Sequence, residues 1–185
     1  MQQILIEKPY QFIPPHRGTW WPTIIRDTNL PGLWLRRAEG VEGYELRGTE
    51  HLKKSLRAGH GILLTPNHSR LADPLAMGWL AREARCLVYA MASWHLFHTS
   101  RFMSWAIHKM GGFSVYREGV DRQAINVAIE ILETAARPLV VFPEGAVSRT
   151  NDRLQALLDG VAFVARTAAK RRAKWRVYTD HRRML

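Results

Sequence analysis

A chain of 185 residues, 46% of them apolar, has the length and composition of one ordinary domain with its own core. That excludes a disordered chain, and the single cysteine, Cys86, excludes an internal disulfide framework and a cysteine-based zinc site while fitting a reducing compartment. The 27 Lys and Arg against 16 Asp and Glu give a formal charge of +11, which calls for an anionic partner: nucleic acid, an anionic membrane surface or phosphorylated substrates.

Residues 1–40 read as an irregular arm, punctuated by Pro14-Pro15, Pro22 and Pro31-Gly32. Its Trp20, Trp21, Trp34, Arg36 and Arg37 suit a membrane interface, and equally an arm packed on the domain. The first residues lack the basic start and long apolar core of a signal peptide. No uninterrupted apolar run approaches the ~18 residues of a membrane-spanning helix, so membrane contact is expected to be peripheral.

From about Gly43, β-leaning runs alternate with helical periodicity. The runs are Tyr44–Arg47, Ile62–Thr65, Cys86–Ala90, Phe113–Tyr116 and Leu139–Phe142. Helices are expected over Pro74–Glu83, Ser93–Met110, Arg122–Ala136 and Arg153–Ala169. In the third, Ile125, Ala128, Ile129, Leu132 and Ala136 share a face; in the fourth, Leu154, Leu157, Leu158, Val161, Ala165 and Ala168 do. The alternation predicts a single α/β domain over 41–169 with a mostly parallel sheet flanked by helices, followed by a basic tail over 170–185. Ligands of such sheets bind beyond the carboxyl ends of the strands, so the turns after three of these runs should converge on one edge.

The first of those turns carries Asn67-His68, with Asp73-Pro74 five residues past the histidine. Aspartate before proline reads as a helix N-cap. On one continuous helix the two side chains would lie about 140° apart. Across a strand–loop–helix corner they can meet, and a carboxylate beside an imidazole can equip it as a general base; taken alone, the spacing fits a plain helix cap and a loop histidine better. The second holds Gly111-Gly112 before a strand and Arg117 after it; an arginine fork can clamp a phosphate, though a helix-ending glycine and a surface arginine fit as well. The third, Phe142-Pro143-Glu144-Gly145 with Ser148-Arg149 beyond, sets an acidic residue in a rigid turn. His95, His98 and His108 read as solvated or packing residues, and no metal site is expected. Trp94, Phe97, Phe102 and Trp105 fit an acyl-chain groove or the core.

Taken together and in this order, these three motifs resemble the glycerolipid acyltransferase family, typified by 1-acylglycerol-3-phosphate acyltransferases, over roughly residues 40–168. The resemblance implies transfer of an acyl group from acyl-CoA or acyl-carrier protein to a hydroxyl of a lysophospholipid or glycerol-phosphate-type acceptor. It implies catalysis by His68 with Asp73, acceptor-phosphate binding by Gly111 and Arg117, and acceptor binding and site architecture from Glu144 and Gly145, with Ser148 and Arg149 at positions that recur in the family. No cofactor is implied, since the donor is a substrate. The implied place is the cytoplasmic, inner face of a membrane, whose anionic surface the basic stretch 166–183 could meet; nucleic acid is not the expected partner.

Two departures stand out. Ala146 and Val147 occupy positions where the family often has Thr-Arg, which points to another acceptor headgroup. Past Ala169 the family's further strand with a Val-Pro-type motif is replaced by a basic stretch, so the C-terminal sheet elements are expected to be missing and a sheet edge exposed. The competing expectation is a truncated, non-catalytic family member that binds a membrane or nucleic acid through its basic surface.

Overall fold

The computed structural model describes residues 9–150 and 153–182. Four strands form one parallel sheet: β1 (Leu63–Leu64), β2 (Tyr89–Ser93), β3 (Gly112–Val115) and β4 (Leu139–Val140), in the order β1-β4-β2-β3. Strand β4 therefore lies between β1 and β2, pairing Leu139 with both Leu63 and Tyr89, and Val140 with Leu64 and Ala90. A strand flanked on both sides carries apolar residues throughout, and Leu139 and Val140 are fully buried.

The helices are α1 (Trp20–Asp27), α2 (Leu30–Glu39), α3 (Thr49–Arg57), α4 (Asp73–Glu83), α5 (Arg101–Lys109), α6 (Arg122–Thr134) and α7 (Asp159–Arg182). Helix α6 buries Ala124, Ala128, Ile129, Ile131 and Leu132 against Tyr89, Phe113, Leu139 and Val141 of the sheet, with Val164 and Ala168 of α7 completing that core. A second cluster joins Leu35 of α2 to Ala72 and Trp79 at and within α4. This is the α/β architecture the alternation predicts, with all four strands parallel.

Several local expectations are corrected. Tyr44–Arg47 is not a strand; the Tyr44 ring stacks on Trp79 at 4.5 Å, so this stretch lies along α4 instead of joining the sheet. The arm over 1–40 is not irregular throughout, because α1 and α2 fill residues 20–39; residues 1–8 fall outside the described part. The helix expected over Ser93–Met110 breaks into a 3-10 segment, Trp94–His98, and α5. The break is at Ser100, whose extended backbone lets its hydroxyl cap the Met103 N–H at 3.1 Å. Residues 153–158 are not helical, and Leu154, Leu157 and Leu158 face solvent.

The expected boundary at residue 170 is crossed by α7. Arg172 donates to the Leu132 and Glu133 carbonyls at 3.2 and 2.8 Å and to Gly59 O at 2.6 Å, capping the end of α6. Residues 183–185 of the basic stretch lie outside the described part.

The edge of β3 is not bare. Ser114 N–H donates to Ile13 O at 3.0 Å, and Ile13 N–H donates to Ser114 Oγ at 2.8 Å, so the N-terminal segment runs beside this strand. The segment is fastened by Asp121, a buried N-cap whose Oδ1 accepts Ala124 N–H and whose Oδ2 accepts Tyr116 N–H, both at 3.0 Å. Tyr10 donates its hydroxyl to the same Oδ2.

Asp121→Ala removes a cap and orphans two further donors, so it should lower stability by about 2 kcal/mol or more, read as a fall in the denaturant midpoint. Burial, then the Asp121 hydrogen bond, push the Tyr10 phenol up from 10.0 to about 12. The folded state holds this proton more tightly than the unfolded chain. The associated stability is therefore complete below pH 10.0 and is lost as pH rises towards about 12. Tyr10→Phe should show a shallower alkaline loss of stability across that window in pH-dependent denaturant titrations.

Candidate active site

Strand β1 ends at Leu64, and the next residues carry the chain over the carboxyl edge to His68. The loop turns back at once: Asp73 opens α4 as its first residue, followed by Pro74. The N-cap position belongs to Ala72, and the Asp73 carboxylate caps nothing inside its own helix. Instead its Oδ2 accepts the Arg70 N–H at 2.8 Å and lies 3.2 Å from His68 Nδ1. The cap expectation is thus corrected and the pairing expectation met. Because the Arg70 bond fixes the carboxylate, Asp73 is oriented before it meets the ring.

A carboxylate is an acceptor only, so the imidazole proton in this pair sits on Nδ1 and leaves Nε2 as the free basic nitrogen. The His68 ring lies over Phe142 at 4.2 Å with a 31° tilt. With side chains 15% and 23% exposed, His68 and Asp73 are sheltered yet reachable.

The main chain of His68 is held from both sides by the loop after β4. Its N–H donates to Glu144 Oε1 at 2.8 Å, and its carbonyl accepts the Ser148 N–H at 2.7 Å. Glu144 is buried, and its other oxygen, Oε2, has no hydrogen-bond partner among the described residues. Gly145 makes this turn possible: its φ is +65°, and a Cβ there would stand 2.7 Å from Leu158 Cδ1. Leu158 N–H in turn donates to Pro143 O at 2.9 Å. The Ser148 hydroxyl donates to Thr150 O at 3.0 Å, and Arg149, exposed with φ +57°, makes no hydrogen bond or ion pair with the described residues.

The strands bring other expected residues less close. Arg117 follows β3 at the same carboxyl edge, exposed and without an ion pair among the described residues. The strand order sets β3 three spacings from β1, roughly 14 Å at ~4.8 Å per spacing. Gly111 precedes β3 and so stands at the edge opposite Arg117. Its φ of +96° and the Val88 carbonyl, 2.8 Å from where a Cβ would be, explain the glycine by chain geometry. Among the described residues no group of three or more His, Cys, Asp or Glu side chains is arranged to hold a metal ion.

Two contributors escape the sequence reading. Phe142 supports the His68 ring, a contact made only by the pairing of β1 with β4. Asp121 holds the Tyr116–Arg117 turn through the Tyr116 N–H; its place directly before an amphipathic run is a cap signal that could have identified it.

Glu144→Ala leaves the His68 N–H without its charged acceptor. Amide hydrogen exchange at His68 should accelerate by about tenfold or more, the equivalent of ~1.4 kcal/mol, while exchange within α6 stays unchanged.

The family profile described as Acyltransferase matches residues 44–179, which contain His68, Asp73, Arg117, Glu144 and Ser148. A curated relative from Streptococcus pneumoniae (strain ATCC BAA-255 / R6), named 1-acyl-sn-glycerol-3-phosphate acyltransferase, is 32% identical over 110 residues. That stretch covers 60% of this chain and 38% of the relative, so the chain spans well under half of the relative's length. No solved structure gives a significant match. With the profile spanning most of its length, the chain belongs to the Acyltransferase family.

Proposed function

We propose that this protein transfers an acyl group from a thioester donor, acyl-CoA or acyl-carrier protein, to a hydroxyl of a lysophospholipid or glycerol-phosphate-type acceptor. The observation that carries the reading is the His68 Nδ1–Asp73 Oδ2 pair at 3.2 Å, which leaves Nε2 free as a base. The acceptor oxygen attacks the thioester carbonyl as Nε2 removes its proton. The C–S bond then breaks, and the proton passes from the imidazolium to the departing thiolate. The Asp73 carboxylate holds the ring and stabilises its transient positive charge.

The main-chain bonds from Glu144 and Ser148 keep the histidine from turning away as that charge develops. Arg117, exposed on the same edge and without an ion pair among the described residues, is the group proposed to meet the acceptor's phosphate. The streptococcal relative's name supports a glycerol-phosphate-type acceptor in general, while Ala146 and Val147, where the family often has Thr-Arg, favour a headgroup other than that of lysophosphatidate itself. The reading requires no bound cofactor. It places the protein peripherally on the anionic, cytoplasmic face of a membrane. No helix among the described residues is long and apolar enough to cross one.

His68→Ala should reduce thioester-dependent acylation of a lysophospholipid by about 10²-fold or more, with circular dichroism and the unfolding midpoint close to wild type. Asp73→Asn should lower kcat more than it raises the acceptor KM. Undiminished turnover in His68→Ala would sink the mechanism. Steep salt-dependent DNA or RNA binding without any turnover would favour a basic binding protein instead.

A further inference from the structure

Away from the His68 loop, the 3-10 segment and α5 border a surface cavity of about 580 Å³, within the range of small-ligand sites. Its polar lining comes from His98, Ser100, Arg101, Ser104 and His108, and no acidic residue contributes to it. His98, Ser100, Arg101 and Ser104 can each donate a hydrogen bond. Arg101 is the first residue of α5, which has no acid in its first turn. A cation at that end opposes the helix dipole, and an anion seated beside it would answer both. Burial, then His16 and Lys109, hold the His108 imidazole below its ordinary range, and its hydrogen bond to the Pro14 backbone makes it part of the wall and not of the donor set.

The remaining wall gives the ligand a second property. Trp105 lines the cavity and also belongs to a continuous aromatic ridge. Ring centroids run from Trp20 to Trp21 at 4.6 Å, from Trp21 to Trp105 at 5.2 Å, and from Trp105 to Phe102 at 6.1 Å. Trp20 and Phe102 are 65% and 73% exposed, so the ridge presents indole and phenyl surface directly to the surroundings. Donors in a recess beside protruding tryptophans match a phosphate at headgroup level with acyl chains alongside.

We propose that this cavity holds the phosphate headgroup of an anionic phospholipid in a bilayer, with the Trp20–Trp21–Trp105–Phe102 ridge inserted at the interface next to it. The net charge of +11 attracts the same surface over a longer range. The site does not depend on His68, and binding is measured without turnover, so its failure and that of the proposed acyl transfer are separate results.

The test is co-sedimentation of the full chain with vesicles of phosphatidylglycerol and phosphatidylcholine in equal parts, compared with phosphatidylcholine alone. The wild type should bind the mixed vesicles preferentially, and Arg101→Gln should weaken that binding more than tenfold, as loss of a charged hydrogen bond does. Arg57→Gln, an equal loss of charge on α3, should weaken it by no more than about fivefold. Trp105→Ala should reduce vesicle binding but leave the effect of inorganic phosphate on the unfolding midpoint unchanged. The proposal is overturned if Arg101→Gln and Arg57→Gln lose affinity equally, or if the wild type ignores anionic vesicles. It is overturned too if Arg101 governs binding of inorganic phosphate or a single-stranded oligonucleotide while vesicles are not bound.

Discussion

The position of β4 between β1 and β2 is the constraint on which the site depends. Glu144 and His68 are far apart in sequence and meet because parallel pairing of β1 with β4 delivers both loops to one edge at adjacent positions. The apolar pair Leu139 and Val140 secures that register. Shifting it by one residue would exchange the faces of the strand and move Glu144 away from the His68 N–H. Core packing and site geometry are one requirement here: α6 presses on Leu139 and Val141, and the strand so held carries the Phe142 ring that supports the imidazole.

A second dependence runs through Asp121. Its carboxylate caps α6, holds the Tyr116 N–H at the start of the Arg117 turn, and takes the Tyr10 hydroxyl from the N-terminal segment. Three elements therefore share two oxygens, and the one carrying Tyr10 is distant from the others in sequence. A buried carboxylate is costly to desolvate unless its lone pairs are occupied, and three donors supply that occupancy. Glu144 is the contrast, with one oxygen held and the other without a partner. Of the two buried carboxylates among the described residues, the unfinished one lies beside His68.

Much of this is legible in the sequence because local chemistry and global arrangement agree. The runs at 62–65, 113–116 and 139–142 contain strands, the periodicity of 122–136 marks a buried helix face, and the His68–Asp73 spacing marks a corner. What is not legible depends on partners that no local pattern records. Tyr44 has the residue type of a strand but finds Trp79. Leu154, Leu157 and Leu158 have helical spacing, yet the Leu158 N–H goes to Pro143 O and helix formation waits until Asp159. Gly111 stands at the opposite end of its strand from Arg117, and the nearby Val88 carbonyl, which no local pattern records, leaves no room for a side chain there. Asp73 shows that a motif can be right in its pairing and wrong in its cap.

The placement of α5 relates the His68 edge to the aromatic ridge. The 3-10 segment leaves the sheet at Ser93, the carboxyl end of β2, and α5 returns to Gly112, the start of β3. Nine helical residues rise about 13.5 Å, and four strand residues extend about 13 Å. The helix therefore runs the full depth of the sheet in the reverse sense, with Ser100 and Arg101 level with the carboxyl edge and Lys109 near the opposite one. Phe102 and Trp105, one and four residues past Arg101, stand within the half of the helix nearer the edge that carries His68 and Arg117. A surface that engages those rings would meet the molecule on the side where the His68 loop opens.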